Sequence, residues 1–456
     1  MPTIQHKLLT KTAEAPAAAL GRAVLMSQVV RDASMNNPVI RKTKDYWVLL
    51  GPGLTTGASD DDPAGIATYS QTGAQYGFGL MWLALWTFPL MAVVQEMCAR
   101  IGLVTGRGLA GNIRIFYNKN VLYGCTILLF AANTFNIGAD IGAMANAVQL
   151  LNPRLDFGFL VVAVTMLSLM LQIFTPYVRY ARYLKWLAMI LLSYILSAVL
   201  AHPHWPTVIH SMLIPHFQVS KASVILIAAI LGTTISPYLF FWQTSQEVEE
   251  QVLEGRLTLK DRKHTDPKEV RSMRIDVWSG MLLSNLVMFF IIAAAGDILF
   301  PRGITQIQTA AQAAEALRPF AGNATYFLFA IGIIGTGLLA IPVLAGSSSY
   351  ALAESMRWKE GLYRDLGQAK AFYGIIIISM LIGLGINFIG LNPIKALIYS
   401  AIGNALVAPV ILFFIVRISS NKKFMGSWVN KKYVTIIGWV TFLLMLASAV
   451  GAIVSF

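Results

Sequence analysis

The sequence predicts an all-helical, polytopic membrane protein. It folds as two five-helix halves of opposite orientation, with about eleven spans, of which the first and sixth are broken. Three observations carry this expectation. The 456 residues are 56% hydrophobic and only 12% charged, with mean hydropathy +0.63, where soluble domains carry about 25% charged residues. Apolar stretches of spanning length recur along the chain, each able to cross a core of about 30 Å at 1.5 Å per residue. Gly/Pro interruptions fall in the first stretch, GPGLTTGASDDDPAGIATYSQTGAQY, and again five stretches later in LGTTISPYLFFWQTSQ. An odd offset reverses the second unit, and interrupted spans at matching places in two inverted halves point to a midplane binding site.

The expected limits are 46–76, 78–104, 119–149, 156–175 and 178–201 for the first half. Those of the second half are 222–250, 272–299, 322–354, 371–390 and 393–417, with 432–455 added at the end. Residues 1–45 read as a flexible cytoplasmic tail without an apolar run long enough for a signal peptide, and 46–456 as the transporter domain. Thirty of the 35 Lys and Arg fall in the tail and in alternate loops; the remaining five are Arg154, Lys221, Arg302, Arg318 and Lys395. The positive-inside rule then places the N-terminus in the cytoplasm and the C-terminus outside. The net charge of +13 is thereby a topological, lipid-facing feature, and nucleic acid is excluded as a partner. Cys98 and Cys125 sit in apolar stretches and read as packing residues.

At the first break an apolar helix meets Asp60, Asp61 and Asp62, then Pro63 and Gly65. Pro63 removes a backbone donor and clashes with the preceding turn, and Gly65 permits unwinding. A charge at bilayer depth costs at least ~2.5–3.5 kcal/mol on translocon scales, so the cluster calls for water, protons or a cation. The competing reading, an aqueous loop between two short segments, is opposed by flanking stretches too short to span alone.

These residues carry a resemblance to the Nramp family of divalent-metal transporters. GPGLTTGASDDDPAGIATYSQTGAQYGFG resembles the family's first helix without a gap, around its Asp-Pro-Gly-Asn signature. ARIGLVTGRGLAGNIR resembles another family stretch, and SPYLFFWQTS occupies the place of the Met-Pro-His motif in the sixth span. The resemblance implies a LeuT-type 5+5 inverted repeat and transport of a divalent cation by alternating access through the cell membrane. It also implies metal ligands, carried over as Asp62, the Ser59 and Thr233 carbonyls, and Ser236 and Tyr238 in place of Met and His. A polar ligand from the tenth span falls on Asn404 or Ser400. The departures are as informative. The signature reads Asp62-Pro63-Ala64-Gly65, so the Asn ligand is replaced by Gly65. The acidic pair of the third span is replaced, counting along AANTFNIGAD, by Asn133 and Asn136.

The substitutions shift the expected chemistry. A thioether favours softer metals, whereas the Ser236 hydroxyl is hard and gives them no advantage. Mg²⁺ binds one or two carboxylates and keeps several waters. Exchanging Asn for Gly65 and Met for Ser236 is expected to open space and leave oxygen ligands only, so Mg²⁺ stands level with a Mn²⁺/Fe²⁺-like substrate. Asp62 could alternatively serve only to cap the second half of its helix. Asp60 and Asp61 read either as an inner vestibule holding protons or a second cation, or as solvated charge in an open pore. Without the third-span acids and the histidine, either transport is uncoupled and import runs on the ion's own gradient and the membrane potential, or Asp60 and Asp61 take over proton handling; weak or absent coupling is expected. Asp140 reads as a water-facing helix-end carboxylate, with proton handling as the other option.

Other features weigh less. His202, His204, His210 and His216 crowd one outer loop without tight ligand spacing. Glu96 and Arg100, four apart, suit a helical ion pair. Residues 247–271 read as a solvated, charged loop or helix extension, Ile307–Leu317 as an amphipathic helix over the outer mouth, and Ala345–Tyr350 as a close-packing stretch. No phosphate loop, zinc spacing or nucleophile elbow appears, so no enzymatic activity and no cofactor are expected. An organic-substrate permease on the same fold is the second reading, but an Asp triplet would repel a substrate carboxylate. The expected partners are the divalent cation and the lipid bilayer, and a monomer is the expected state.

Overall fold

Pro63 and the Asp run divide the first apolar stretch into α1 (Pro52–Asp60) and α2 (Pro63–Tyr76). The structure, a computed structural model, describes residues 51–175, 192–215 and 220–455. The expected tail 1–45, the start of the first span at 46–50, the 4–5 loop and His216 lie outside the described residues. There follow α3 (Trp82–Thr105), α4 (Lys119–Leu151), α5 (Phe157–Phe174) and α6, described over Leu192–Ala201. The sixth stretch is divided in the same way into α7 (Lys221–Thr234) and α8 (Pro237–Leu253). The remaining long helices are α9 (Pro267–Ile298), α10 (Thr325–Met356), α11 (Lys370–Ile386), α12 (Pro393–Ser419) and α13 (Lys432–Ser455). No strand occurs among the described residues.

Each boundary has a local cause. Asp62 caps α2, its side chain accepting from the Gly65 amide, and Pro63 fills the first helical position, where a missing donor costs nothing. Gly77 ends α2 with φ +56°, and residues 77–81 form turns, so α3 starts at Trp82 and not at 78. Gly106, left-handed at φ +64°, ends α3. The family-like stretch beyond it forms a separate helix, Leu109–Phe116.

The charged segment 247–271 is less solvated than expected. α8 runs to Leu253 with Glu247 and Glu249 buried. At its other end Asp266 and Glu269 form a reciprocal capping box that starts α9 at Pro267 rather than 272. Glu249 is buried because it has work to do: it accepts from the Tyr350 hydroxyl and from the Leu362 amide at 2.8 Å.

Corresponding spans of the two halves pack on one another: α3 on α9, α4 on α10, α5 on α11. A two-fold relation between halves brings like elements together in this way, and the opposite chain direction makes the repeat inverted. α13 adds against α12, α7 and α3, its outer face apolar and exposed at Ile436, Leu443, Ile453 and Val454.

Glycines set the closest approaches. A Cβ on Gly57 would stand 2.2 Å from the Gly280 carbonyl oxygen, and one on Gly73 2.5 Å from that of Ile292. Both halves of the first span thus lie backbone to backbone on α9, as small residues allow in membranes. Asp276 of α9 accepts from the Gly53 and Leu54 amides at 2.6 and 3.0 Å, satisfying the donors at the start of α1. In the other half, a Cβ on Gly102 would stand 2.3 Å from the Thr244 carbonyl oxygen, so α3 meets α8 as α9 meets α1.

This packing generates a paired test. Gly57→Ala is expected to destabilise the protein by ~1–3 kcal/mol, the usual cost of overpacking, visible as a lower melting temperature in detergent. Gly124→Ala is the control, since its Cβ would meet nothing within 4 Å, and the helix gains propensity. Equal melting temperatures would show that the α1–α9 contact does not require glycine.

Candidate functional site at the paired helix breaks

The two breaks meet. The Tyr238 hydroxyl on α8 donates to the Ser59 carbonyl at 3.1 Å, joining the second break to the first. A Cβ on Gly65 would stand 3.2 Å from the Asp60 carbonyl oxygen, 3.3 Å from Thr233 Oγ1 and 3.4 Å from Tyr69 Cε2. The position freed by glycine is therefore filled by Thr233 and Tyr69 rather than left open, which corrects the expectation of added space there. Ser236, too, is folded back: its hydroxyl donates to the carbonyls of Gly232 at 2.7 Å and Thr233 at 2.8 Å.

Asp62 has both carboxylate oxygens engaged. Oδ1 accepts from the Gly65 amide at 2.7 Å and Oδ2 from Asn136 Nδ2 at 3.0 Å. It thus caps α2 and reaches the third span at once. Asn133 holds the neighbouring turn of α4 on α10, its Nδ2 donating to the Leu344 carbonyl and to Ser347 and Ser348. The small residues of Ala345–Tyr350 therefore supply hydroxyl partners as well as close approach. The expected carbonyl ligands are occupied in this closed arrangement, Ser59 by Tyr238 and Thr233 by Ser236.

Asp60 and Asp61 are not solvated charge. Exposure is 0% for both and 1% for Asp62, so the bundle is closed over all three from either side. Ser284 on α9 donates to Asp60 Oδ2 at 2.6 Å and stands 3.4 Å from Asp61 Oδ1. The far oxygens, Asp60 Oδ1 and Asp61 Oδ2, have no hydrogen-bond partner among the described residues. Asp140 also departs from its expected place. It is fully buried rather than water-facing, because α4 packs against α10 and α12, and neither oxygen has a hydrogen-bond partner among the described residues. Among the described residues no ion pair reaches any of these four aspartates. Burying unpaired charge costs several kcal/mol per ion, so the site is built for positive charge that the protein does not itself contribute.

Asn404 is buried on α12 with Oδ1 unpartnered, whereas Ser400 donates to the Leu397 carbonyl of its own helix. α12 meets α7 where a Cβ on Gly232 would fall 2.0 Å from the Ala401 carbonyl oxygen, which sets Asn404 at the level of the second break. Among the described residues no three His, Cys, Asp or Glu side chains converge as a ready-made metal cage. Asp62 faces α2 and α4 while Asp60 and Asp61 face α9, and that divergence is the reason.

Two clasps close the site. Towards the start of α1 the Thr56 hydroxyl donates to Gln243 Oε1 at 2.6 Å, linking α1 to α8. Towards the end of α2 Gln71 donates to the Thr305 carbonyl at 3.0 Å and accepts from the Ile307 amide at 2.8 Å. That contact fixes the short helical segment beginning at Ala310, where the amphipathic outer helix is expected. Glu96 and Arg100 form a buried pair at 3.3 Å, joined by Arg274 and Trp278. In the outer histidine loop, His204 Nδ1 lies 2.6 Å from the Thr207 hydroxyl. Sequence reasoning missed Ser284, Tyr69, Gln71 and Asp276. The one available signal for Ser284 is the polar pair Ser284-Asn285 inside an apolar run.

Comparison with known proteins agrees with this architecture. The family model described as natural resistance-associated macrophage protein-like, Nramp, matches residues 53–455. A protein of Pectobacterium carotovorum described as divalent metal cation transporter MntH is 25% identical over 433 residues, covering 92% of this chain and 96% of its own. A crystal structure of a manganese transporter from Eremococcus coleocola superposes with TM-score 0.69 at 18% identity, covering 90% of this chain and 87% of its own. Mhp1, a nucleobase-cation-symport-1 family transporter in a closed conformation, gives 0.56 at 11%, covering 89% and 91%. The two structural likenesses speak for the fold alone, while the family match spans nearly the whole chain: it belongs to the Nramp family.

Proposed function

We propose that the chain is a secondary transporter of divalent metal cations, working by alternating access as a multi-pass protein of the cell membrane. The observation that carries this reading is Asp62, a buried carboxylate with no basic partner among the described residues, set where two broken helices meet. Names carried by relatives, divalent metal cation transporter and manganese transporter, point the same way. The loop charges favour a cytoplasmic N-terminus and an outer C-terminus.

In this reading the ion takes Asp62, and the Ser59 and Thr233 carbonyls are released to it when Tyr238 and Ser236 swing away. Asn404 completes the set from α12. Opening inward requires α1 to leave Gln243 and Asp276, and opening outward requires Gln71 to release the 305–307 segment. Every proposed donor is oxygen, so Mg²⁺ competes on level terms with Mn²⁺. Net import follows from the inside-negative potential, about 2.3 kcal/mol per charge per 100 mV. Asn133 and Asn136 carry no exchangeable carboxyl proton, so the flux runs without obligatory proton coupling. An organic-substrate permease is disfavoured by the same three carboxylates.

Proteoliposomes holding the purified chain are expected to take up Mn²⁺ or Mg²⁺, and Asp62→Ala to reduce uptake to the level of empty vesicles. Identical uptake by both proteins would sink the transport reading. Ser236→Met, and the smaller Ser236→Cys, are expected to raise Mn²⁺ or Cd²⁺ uptake relative to Mg²⁺ by at least about threefold, as a softer donor should. An unchanged ratio would remove this position from selectivity. A pH dye inside the vesicles is expected to stay level during metal uptake; acidification proportional to flux would overturn the uncoupled reading.

A further inference from the structure

We infer that Asp60, Asp61 and Ser284 form a second cation site, distinct from that at Asp62, which takes a second hard divalent cation. The inference rests on the transport reading and deepens it. Ser284 stands 2.6 Å from Asp60 Oδ2 and 3.4 Å from Asp61 Oδ1, so one hydroxyl gathers two carboxylates on the α9 side of the break. A hydroxyl has one proton to donate, and it serves Asp60. Asp60 Oδ1 and Asp61 Oδ2 remain, fully buried and without a hydrogen-bond partner among the described residues.

An independent group points into the same place. The Tyr69 hydroxyl is fully buried and lacks a hydrogen-bond partner among the described residues. The hydroxyl end of its ring lies at the break, since one Cβ position on Gly65 would touch both Tyr69 Cε2 at 3.4 Å and the Asp60 carbonyl oxygen at 3.2 Å. Two carboxylate oxygens, a serine hydroxyl and a phenol are hard, neutral-to-anionic oxygens with net charge −2. That set suits Mg²⁺, Mn²⁺ or Ca²⁺ and gives thiophilic ions nothing.

The charge at the break leaves room for a second ion. Asp62 is separately engaged by Gly65 and Asn136, so it does not share an ion with the other two in this arrangement. A single divalent ion at Asp62 leaves one negative charge over among the three aspartates, and no Lys, Arg or His pairs with Asp60 or Asp61 among the described residues. A second divalent ion offsets both. Lying on the α1 side of Asp62, it marks the ion's next stop towards the clasp of Thr56 and Gln243.

The test is equilibrium dialysis of the purified full-length chain in detergent against Mn²⁺ alone, with bound metal counted by mass spectrometry and its pairing read by electron paramagnetic resonance. Two Mn²⁺ per wild-type chain are expected, with the broadened spectrum of two neighbouring spins. Asp60→Asn and the milder Ser284→Ala are each expected to retain one Mn²⁺, weaken the second by at least tenfold, and give an uncoupled spectrum. Asp62→Asn is expected to lose the other ion. One Mn²⁺ per wild-type chain, or two retained by both Asp60→Asn and Ser284→Ala, would overturn the second site and leave the transport reading standing. No bound Mn²⁺ in the wild type would overturn the second site, and no bound Mg²⁺ in the same dialysis would overturn the transport reading as well.

Discussion

Everything in this fold depends on keeping carboxylates at the centre of an apolar bundle. Asp60, Asp61, Asp62 and Asp140 are all at most 1% exposed and have no basic partner among the described residues. An intact helix through Asp60–Asp62 would present them to packed side chains and satisfy none of them. Breaking it frees the Gly65 amide for Asp62 and turns Asp60 and Asp61 towards Ser284. The break is thus the device that makes the charge tolerable and also makes it useful.

A broken helix loses backbone hydrogen bonds, and neighbouring elements replace what it lost. Asp276 satisfies the start of α1, Tyr238 the Ser59 carbonyl, and Ser236 the carbonyls at the end of α7. Backbone contacts at Gly53, Gly57 and Gly73 hold both halves of the first span against α9. These are polar or small-residue contacts with little bulky interdigitation, so a rigid half-helix can leave one neighbour without dismantling a core. Alternating access needs that kind of interface.

The departures from the family's signature have different structural weights. Asn136 keeps a direct contact with Asp62, donating a hydrogen bond to it, although it has no titratable proton to transfer. Gly65 does not enlarge the site, because Thr233 Oγ1 and Tyr69 close on it. Tyr238 takes the histidine's place but spends its hydroxyl on the other break. At these positions the partners each group holds shape the site as much as residue size does.

The helices, their breaks, the inverted halves and the central carboxylates were legible in the sequence, because apolar length, Pro/Gly interruption and loop charge are local properties. Boundaries shifted only where a cap or a turn intervened, as at Trp82 and Pro267. The orientation of each polar group was not legible. Ser284 is far from Asp60 along the chain and sits in an apolar run, Tyr69 is near in sequence but nothing local tells where its ring turns, and the burial of Asp140 follows only once α10 and α12 pack on α4. Which oxygens are paired and which are left free depends on where distant helices place their side chains, and only the tertiary packing decides that.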